Sequence, residues 1–582
     1  MTLLTPPKPD TTPPVSVRRR QVIAPAKIVV LAVSVVVSLL IGYPLLRVLT
    51  GIFWVDGKLS LAAISETLAL PELGEILFDT GVVVVSAVAL AMVIGSVFAW
   101  LNERTDARMG LLTDILPIVN FLMPGIATAV GWLLLLSTEA GYINQVIRGI
   151  LNTFFGTDIQ TGPFSVHSYY TVIGVYTLTL VPFVYLVVSA GLRNLDSRLE
   201  ESSRMSGAGV IQTLRRVTLP ALRPSLLSGM FLAVWFGFAI FSVPVVLAEP
   251  GGIKLISVEI VNLLTETYPA ETAPALGLSS VILVALGIIW VLQQKSLGGR
   301  RSATLGEKGA GTGRIKLGRL RNWARAFMLL YLAGAVVLPL GALVLVTLNG
   351  FWGKPRWGEL SLTPLFEVLS TAANLDAVLN SLTFAVVVAT VTTLIGACMA
   401  WAAVTSPGRL SAAAATIAKV PAAVPPIVIA VGIVLAFGGT PFYWGGSALI
   451  LIVGFFIVSM PEASITSEAA LGQIGRELGN ASSLSGASPL RTFRSVYLPL
   501  MMPGLMAGWA LMFVRIMADV EMSVLLASTQ TPVIGFRLLG IYQGGGGYAE
   551  LAALALFVTL VSMTMVTLAL GTTAALQRRR NR

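Results

Sequence analysis

Three charged residues, Arg515, Asp519 and Glu521, stand inside an otherwise apolar stretch of the chain, FVRIMADVEMSVLL. A charge at bilayer depth is costly, and such side chains usually face the interior of a helix bundle or a cavity. Arg515 and Asp519 are four positions apart, so on one helix they share a face and can neutralise each other, whereas Glu521 lies off that face. The pattern predicts either a structural ion pair or a gate in a translocation path.

Prolines mark a second candidate part of such a path. Pro124, Pro425 and Pro426 fall in the middle of long apolar stretches. A proline inside a helix leaves a carbonyl without its donor, and broken helices are tolerated at membrane depth where they line a cavity. Pro124 and Pro425 therefore indicate either broken helices beside the path or simple kinks. Lys419 and Glu462 are weaker candidates, because each falls near a predicted membrane boundary.

The remaining side chains argue against catalysis by this chain. One cysteine and one histidine, Cys398 and His167, leave no disulfide framework and no Cys/His metal cluster. The glycine-rich stretch GEKGAGTGRIK lacks the G-x-x-x-x-G-K-[ST] order that cradles nucleotide phosphates. The spans also lack the clustered His, Cys or paired carboxylates that a membrane enzyme would need. We therefore predict no catalytic residue, no metal site and no cofactor.

The elements that position these residues follow from composition. The chain is 55% hydrophobic and 12% charged, whereas an ordinary soluble domain has about 25% charged residues. Apolar runs long enough to cross a bilayer, which takes about 20 residues, recur along the whole length. We predict an all-α membrane protein of about twelve transmembrane helices, near residues 28–48, 81–101, 112–137, 169–190, 225–247, 273–293, 326–348, 379–402, 412–437, 447–463, 504–526 and 551–574.

Positive charge collects in the short segments between the apolar runs. This is the positive-inside pattern of a membrane protein and not a nucleic-acid face, despite the net charge of +11. Arginines precede the first span and close the chain, so we expect both termini in the cytoplasm. The expected divisions are a cytoplasmic tail at 1–27, a first six-helix half at 28–293, a basic cytoplasmic linker at 294–325, a second half at 326–575 and a cytoplasmic tail at 576–582.

The two halves repeat one pattern. ESSRMSGAGVIQTLRRVTLP begins at Glu201, and NASSLSGASPLRTFRSVYLP begins at Asn480, an offset of 279 residues. In the third span of each half, MPGIATAVG matches VPPIVIAVG at an offset of 301. The offset falls because the first half has the longer loop before its fourth span. We predict two homologous six-helix halves related by an axis along the membrane normal.

The repeated segments resemble the EAA loops of permease subunits of ATP-binding-cassette (ABC) importers, specifically the fused two-half type. The resemblance implies a type I importer permease fold, with coupling loops at about 195–224 and 474–503. In that family each loop is a short cytoplasmic helix that docks on the ATPase. The residues that match the family pattern, and are implied to dock, are Glu201, Ser202, Ser203, Gly207, Leu219 and Pro220 in the first half and Asn480, Ala481, Ser482, Gly486, Leu498 and Pro499 in the second.

The same resemblance implies partners and a location. Two copies of an ABC ATPase meet the two loops, an extracytoplasmic solute-binding protein supplies the cargo, and the chain spans the lipid bilayer of a bacterial inner membrane. One position departs from the pattern, since Asn480 stands where the first loop has Glu201. Asparagine caps a helix but cannot make the ion pair of a carboxylate, so either the two ATPase contacts are unequal or Asn480 is simply a cap.

The cargo is the least determined part of the prediction. FSVPVVLAEPGGIKLISVEIV in the first half and EMSVLLASTQTPVIGFRLLGIYQGGGGYAELAALAL in the second resemble the ferric-iron branch of fused permeases. Ferric iron is the first choice. The alternatives are a small organic anion such as a phosphonate or sugar phosphate, thiamine, or a polyamine. From another class, a twelve-helix secondary transporter would run on an ion gradient and need no ATPase.

Overall fold

The computed structural model describes residues 25–55, 58–110, 123–297, 314–405, 408–545 and 547–580. Most of the predicted N-terminal tail, the middle of the predicted linker at 298–313 and the last two residues lie outside these described residues. So does the stretch 111–122, which forms the first part of the third predicted span.

The first half begins with helix α1 (Pro25–Phe53) and a small antiparallel hairpin, β1 (Trp54–Val55) and β2 (Lys58–Leu59). The remaining helices of this half are α2 (Ala62–Leu68), α3 (Leu73–Arg104), α4 (Gly125–Leu136), α5 (Tyr142–Phe155), α6 (Tyr169–Asn194), α7 (Ser197–Met205), α8 (Val210–Ala239), α9 (Ile256–Thr265) and α10 (Thr272–Leu297).

The second half is helical throughout its described elements. Its helices are α11 (Leu320–Asn349), α12 (Thr363–Ser370), α13 (Ala372–Thr405), α14 (Arg409–Ile417), α15 (Pro426–Phe437), α16 (Ala448–Gly472), α17 (Arg476–Leu484), α18 (Pro489–Met517), α19 (Ser523–Leu526), α20 (Ile534–Gln543) and α21 (Tyr548–Arg580).

Long apolar helices confirm an all-α membrane protein. Within the described ranges, ten helices are long and apolar enough to cross a bilayer. The predicted span 412–437 is a pair, 409–423 and 426–437, bent by 114°, because Pro425 and Pro426 cannot donate hydrogen bonds back to the preceding turn. The predicted span 112–137 is described only from residue 123, where it contains the 12-residue α4. Ten or eleven spans are thus directly represented.

The fifth span of each half ends earlier than its hydropathy indicates. α8 ends at Ala239 instead of residue 247, and α18 ends at Met517 instead of residue 526. Ile240 has extended backbone after α8, and in the second half the carboxylate of Asp519 accepts from the N–H groups that open α19. Hydropathy misses both breaks because the residues on either side remain apolar.

The duplication extends to individual hydrogen bonds. Thr80 on α3 accepts from the first N–H of α9, Ile256, at 3.0 Å, and Ser381 on α13 accepts from the first N–H of α20, Ile534, at 2.8 Å. Thr80 and Ser381 are separated by the offset of 301 that aligns the early spans. Each half therefore fixes a short helix against its own second span through the same hydroxyl contact.

The two halves interlock through their first helices. α1 packs against α15 of the second half, and α11 packs against α4 of the first half. A Cβ at Gly131 would lie 2.5 Å from the Cβ of Pro339, and a Cβ at Gly432 would lie 2.7 Å from the carbonyl oxygen of Pro44. Glycine at these two equivalent positions lets the helices of opposite halves approach closely.

Candidate functional site

Each repeated loop is a short helix closed by a glycine in the left-handed region. α7 ends before Gly207, at φ +86°, and α17 ends before Gly486, at φ +80°. Since an L-residue with a side chain is strained there, the glycine permits the turn that ends each helix. A hydroxyl pair fastens each helix to the chain that follows, Ser203 to Thr213 at 3.0 Å and Ser482 to Thr492 at 2.9 Å.

The predicted docking residues lie in this frame at similar exposures. Ser203 and Ser482 are half-buried in the hydroxyl pairs, and Leu498 is half-buried in the helix that follows. The others lie on the surface: Glu201, Ser202, Gly207, Leu219, Pro220, Asn480, Ala481, Gly486 and Pro499. The Leu-Pro pairs do not end a helix. Each lies inside α8 or α18, just after a π-helical turn at Leu214–Thr218 or Phe493–Tyr497.

Apolar tips project from both loops at equivalent positions. Met205 and Leu484 are each 89% exposed, and Ile211 and Leu490 are also largely exposed. Both pairs are related by the 279-residue offset. A patch of this kind, flanked by polar residues, is typical of a protein-binding surface.

A buried ion pair supports the first loop. Glu200 lies 2.9 Å from Arg104 at the end of α3, with side-chain exposures of 5% and 9%, and accepts from the Thr218 hydroxyl at 2.7 Å. In the second loop the equivalent of Glu200 is Gly479, where a Cβ would collide with the Tyr497 hydroxyl. The repeat recognised in the sequence begins at Glu201 and Asn480, one residue after this contact. An alignment that includes the preceding residue pairs Glu200 with Gly479 and shows the difference.

A cavity of about 480 Å³ lies between the two halves. The end of α8, the N-terminus of α4, the C-terminal half of α18 and the middle of α16 all contribute to its lining. The principal side chains around it are Pro124, Phe183, Trp235, Phe236, Ile240, Ser242, Pro426, Glu462, Leu511, Arg515, Asp519 and Glu521.

The predicted pairing of Arg515 with Asp519 is wrong. Arg515 Nη1 instead lies 2.5 Å from Glu462 Oε1 on α16. α18 ends at Met517, between the two residues, so Arg515 and Asp519 do not share a helix face. The Asp519 carboxylate accepts from the N–H groups of Met522 at 2.9 Å and Ser523 at 3.2 Å.

All three predicted charged residues nevertheless face one cavity. They line it together with Glu462, which is a weaker path candidate from the sequence alone. The Glu521 carboxylate lies beside the backbone N–H of Phe241, in the break after α8. In the described part of the chain, however, His, Cys, Asp and Glu side chains form no group of three that could hold a metal ion.

The two predicted prolines begin short helices at the cavity. Pro124 precedes α4 and lines the cavity directly. Pro425 precedes α15, and it is its neighbour Pro426 that contributes to the lining. Both residues have φ near −56° and ψ 141°, an extended conformation that interrupts a helix. A helix on either side of the break is described only at Pro425, where the pair 409–423 and 426–437 is bent by 114°.

Two interlocked helical halves, matching surface loops and a charged cavity between the halves define a membrane permease. The sequence profile described as "Binding-protein-dependent transport system inner membrane component" matches residues 91–297 and 392–582, more than half of the chain. The chain belongs to this family, and its two matches correspond to the two halves of a fused ABC permease.

Relatives place the chain near ferric permeases. It is 26% identical to the ferric transport system permease protein FbpB of Actinobacillus pleuropneumoniae over 473 residues, 78% of this chain and 65% of that protein. It is 23% identical to the Fe(3+)-transport system permease protein FbpB 2 of Haemophilus influenzae over 530 residues, 90% of this chain and 95% of that protein.

One solved structure is similar to part of this chain. A bacterial ABC transporter involved in the import of the acidic polysaccharide alginate is 16% identical, with 44% of this chain and 96% of that chain covered. The TM-score between the two structures is 0.36.

Proposed function

We propose that the chain is the transmembrane subunit of an ATP-driven importer of ferric iron, supplied by an extracytoplasmic binding protein. The observation that carries the choice of cargo is the acidic wall of the cavity, defined as Glu462, Asp519 and Glu521. These three carboxylates outnumber the one guanidinium that faces them, Arg515. A wall of net negative charge attracts a cation and repels a phosphonate or a sugar phosphate. The similarity to ferric permeases supports the same choice.

Energy comes from outside the chain in this proposal. Two ATPase subunits dock on the loops at about 195–224 and 474–503, where the exposed tips Met205 and Leu484 provide apolar anchors. Both loops, the basic linker and both termini then lie in the cytoplasm, and the chain spans a bacterial inner membrane. The chain itself hydrolyses no ATP.

We propose that the interlocked halves work by alternating access. When the ATPases close, they draw the two docking loops together and turn the halves so that the cavity opens outward. The binding protein releases its cargo into the cavity, and hydrolysis restores the inward-facing state. Pro124 and Pro425, in the breaks beside the cavity, are the proposed points where the lining changes shape.

Uptake in cells tests this proposal. Cells that lack the chain, and the same cells with it restored, receive limiting radiolabelled ferric iron in parallel with a phosphonate, a sugar phosphate and a polyamine. We expect only iron uptake to depend on the chain. Iron uptake that is unchanged, with loss of one of the organic solutes, would overturn ferric iron as the cargo and keep the permease.

A further inference from the structure

An aromatic pair in the first half occupies the positions of the ion pair in the second. The 279-residue offset that aligns the docking loops maps Phe183 onto Glu462 and Phe236 onto Arg515. The two phenyl rings stack with centroids 3.5 Å apart and 24° between their planes. The fold therefore does not require charges here. Because packed apolar groups fill the equivalent positions of the first half, the charges of the second half need a functional explanation.

The other two carboxylates of the acidic wall show the same contrast. The offset maps Ile240 onto Asp519 and Ser242 onto Glu521, and all four residues line the cavity. The cavity thus has a charged wall from the second half and a largely apolar wall from the first. Trp235 in the first-half wall is only 7% exposed, and its indole N–H finds no hydrogen-bond partner among the described residues.

Arg515 is a tethered cation within the acidic wall. Besides its contact with Glu462, it interacts electrostatically with both Asp519 and Glu521. The side chains of Arg515 and Glu462 are 32% and 37% exposed, so the pair is accessible from the cavity. The wall holds three carboxyl groups and one guanidinium, so Arg515 can neutralise only one of the three. The wall is therefore only partly neutralised, and room remains for a further cation.

We propose that Arg515 is a built-in counter-ion that a multivalent cationic cargo displaces from Glu462. In the empty path the guanidinium partly neutralises the acidic wall. When the cation enters, it takes the place of the guanidinium at Glu462, and Arg515 afterwards competes for Glu462 and promotes release. Since the described acidic residues form no tight metal-holding group, the contact is electrostatic and weak, as a path from which an ion must also depart requires. The inference rests on the cationic cargo proposed above.

Terbium(III) binding tests this role directly. The purified full chain in detergent is titrated with terbium(III), whose luminescence is sensitised by a nearby indole, and Trp235 supplies that indole at the cavity. We expect Arg515→Gln to tighten binding by about tenfold or more, because a positive charge close to the ion is removed. Arg515→Lys should bind as the wild type does, and adding Glu521→Gln to Arg515→Gln should reverse the gain. Trp235→Phe should weaken the signal.

Lys419→Gln is the matched control. Lys419 pairs at 2.6 Å with Glu468, also on α16 but away from this cavity, so its removal should leave terbium affinity unchanged. Unchanged affinity in Arg515→Gln, or an equal gain in Lys419→Gln, would overturn the counter-ion role. Two results together would keep the counter-ion role and reject iron as the cargo. Terbium affinity would rise only in Arg515→Gln, and iron uptake by cells would not depend on the chain. Unchanged terbium affinity in Arg515→Gln, with iron uptake by cells that does depend on the chain, would reject the counter-ion role alone.

Discussion

Single residues make the two docking loops unequal, and the largest difference is not the one that the sequence pattern indicates. Glu201 and Asn480 differ in charge, but both lie on the surface. The buried difference is one residue earlier, where Glu200 joins Arg104 and the second loop has Gly479. The first loop is thereby tied to α3 by charge, and the second is packed around an aromatic ring.

Glu200→Gln should destabilise the first half. The change leaves the Arg104 guanidinium buried without its carboxylate, which typically costs about 3–5 kcal/mol. We expect a clearly lower unfolding temperature for the purified full chain in detergent. Glu201→Gln, on the exposed neighbour, should leave that temperature nearly unchanged. Equal shifts for the two variants would contradict the role given to the buried pair.

Residue types alone could identify the charged path but not its contacts. Arg515, Asp519 and Glu521 stand out because they are charged residues in an apolar stretch, and the structure brings all three to one cavity. The partner of Arg515, however, lies on α16, far away in sequence. Spacing along one chain predicts neighbours only while a helix continues, and α18 ends before Asp519.

At the scale of elements, each docking helix depends on the turn that ends it. Gly207 and Gly486 have φ of +86° and +80°, and a Cβ at either position would meet open space. Steric crowding is therefore not the constraint; the constraint is the left-handed backbone. A side chain there costs roughly 1–2 kcal/mol, enough to shift the helix end without unfolding the membrane domain.

Gly207→Val and Gly486→Val should each uncouple transport from ATP hydrolysis. The distorted turn moves the apolar tip that we propose as the ATPase anchor, so uptake should fall severalfold while membrane abundance stays near that of the wild type. Gly209→Val is the control, since Gly209 has φ −69° and open space around its Cβ position. Loss of uptake in all three variants would mean that bulk, and not the turn, is responsible.

Most elements could be located from hydropathy, because a bilayer demands long apolar helices whatever their packing. The breaks after α8 and α18 could not be located in this way. Ile240 and Ala518 lie in apolar sequence, and only their backbone conformation shows that α8 and α18 have ended. The consecutive prolines before α15 predict a break there. They do not predict the bend of 114°, because its angle depends on packing between the halves.

For the molecule as a whole, the interlocked first helices hold the two halves together around the cavity. Gly131 contacts Pro339 of the other half, and Gly432 contacts Pro44. The sequence repeat predicted two halves but gave no sign that α1 and α11 cross to the opposite half. That exchange depends on tertiary contacts between residues nearly 400 or about 200 positions apart, which local patterns do not encode.

Gly131→Leu and Gly432→Leu should loosen this assembly. Overpacking at a tight contact typically costs about 1–3 kcal/mol, so each variant should unfold at lower temperature in detergent. Gly341→Leu lies on α11 itself, where a Cβ would meet nothing within 4 Å, and should behave like the wild type. The interlock would be contradicted if all three variants melted together with the wild type.

We propose that an ATPase drives transport by this chain through its two loops. The most direct measurement is ferric iron uptake into proteoliposomes that contain the full chain, with and without its ATPase subunits, binding protein and internal ATP. We expect uptake only when all of these components are present, and we expect its loss in Gly207→Val. Uptake by the chain alone under an ion gradient would contradict the account and identify a secondary transporter.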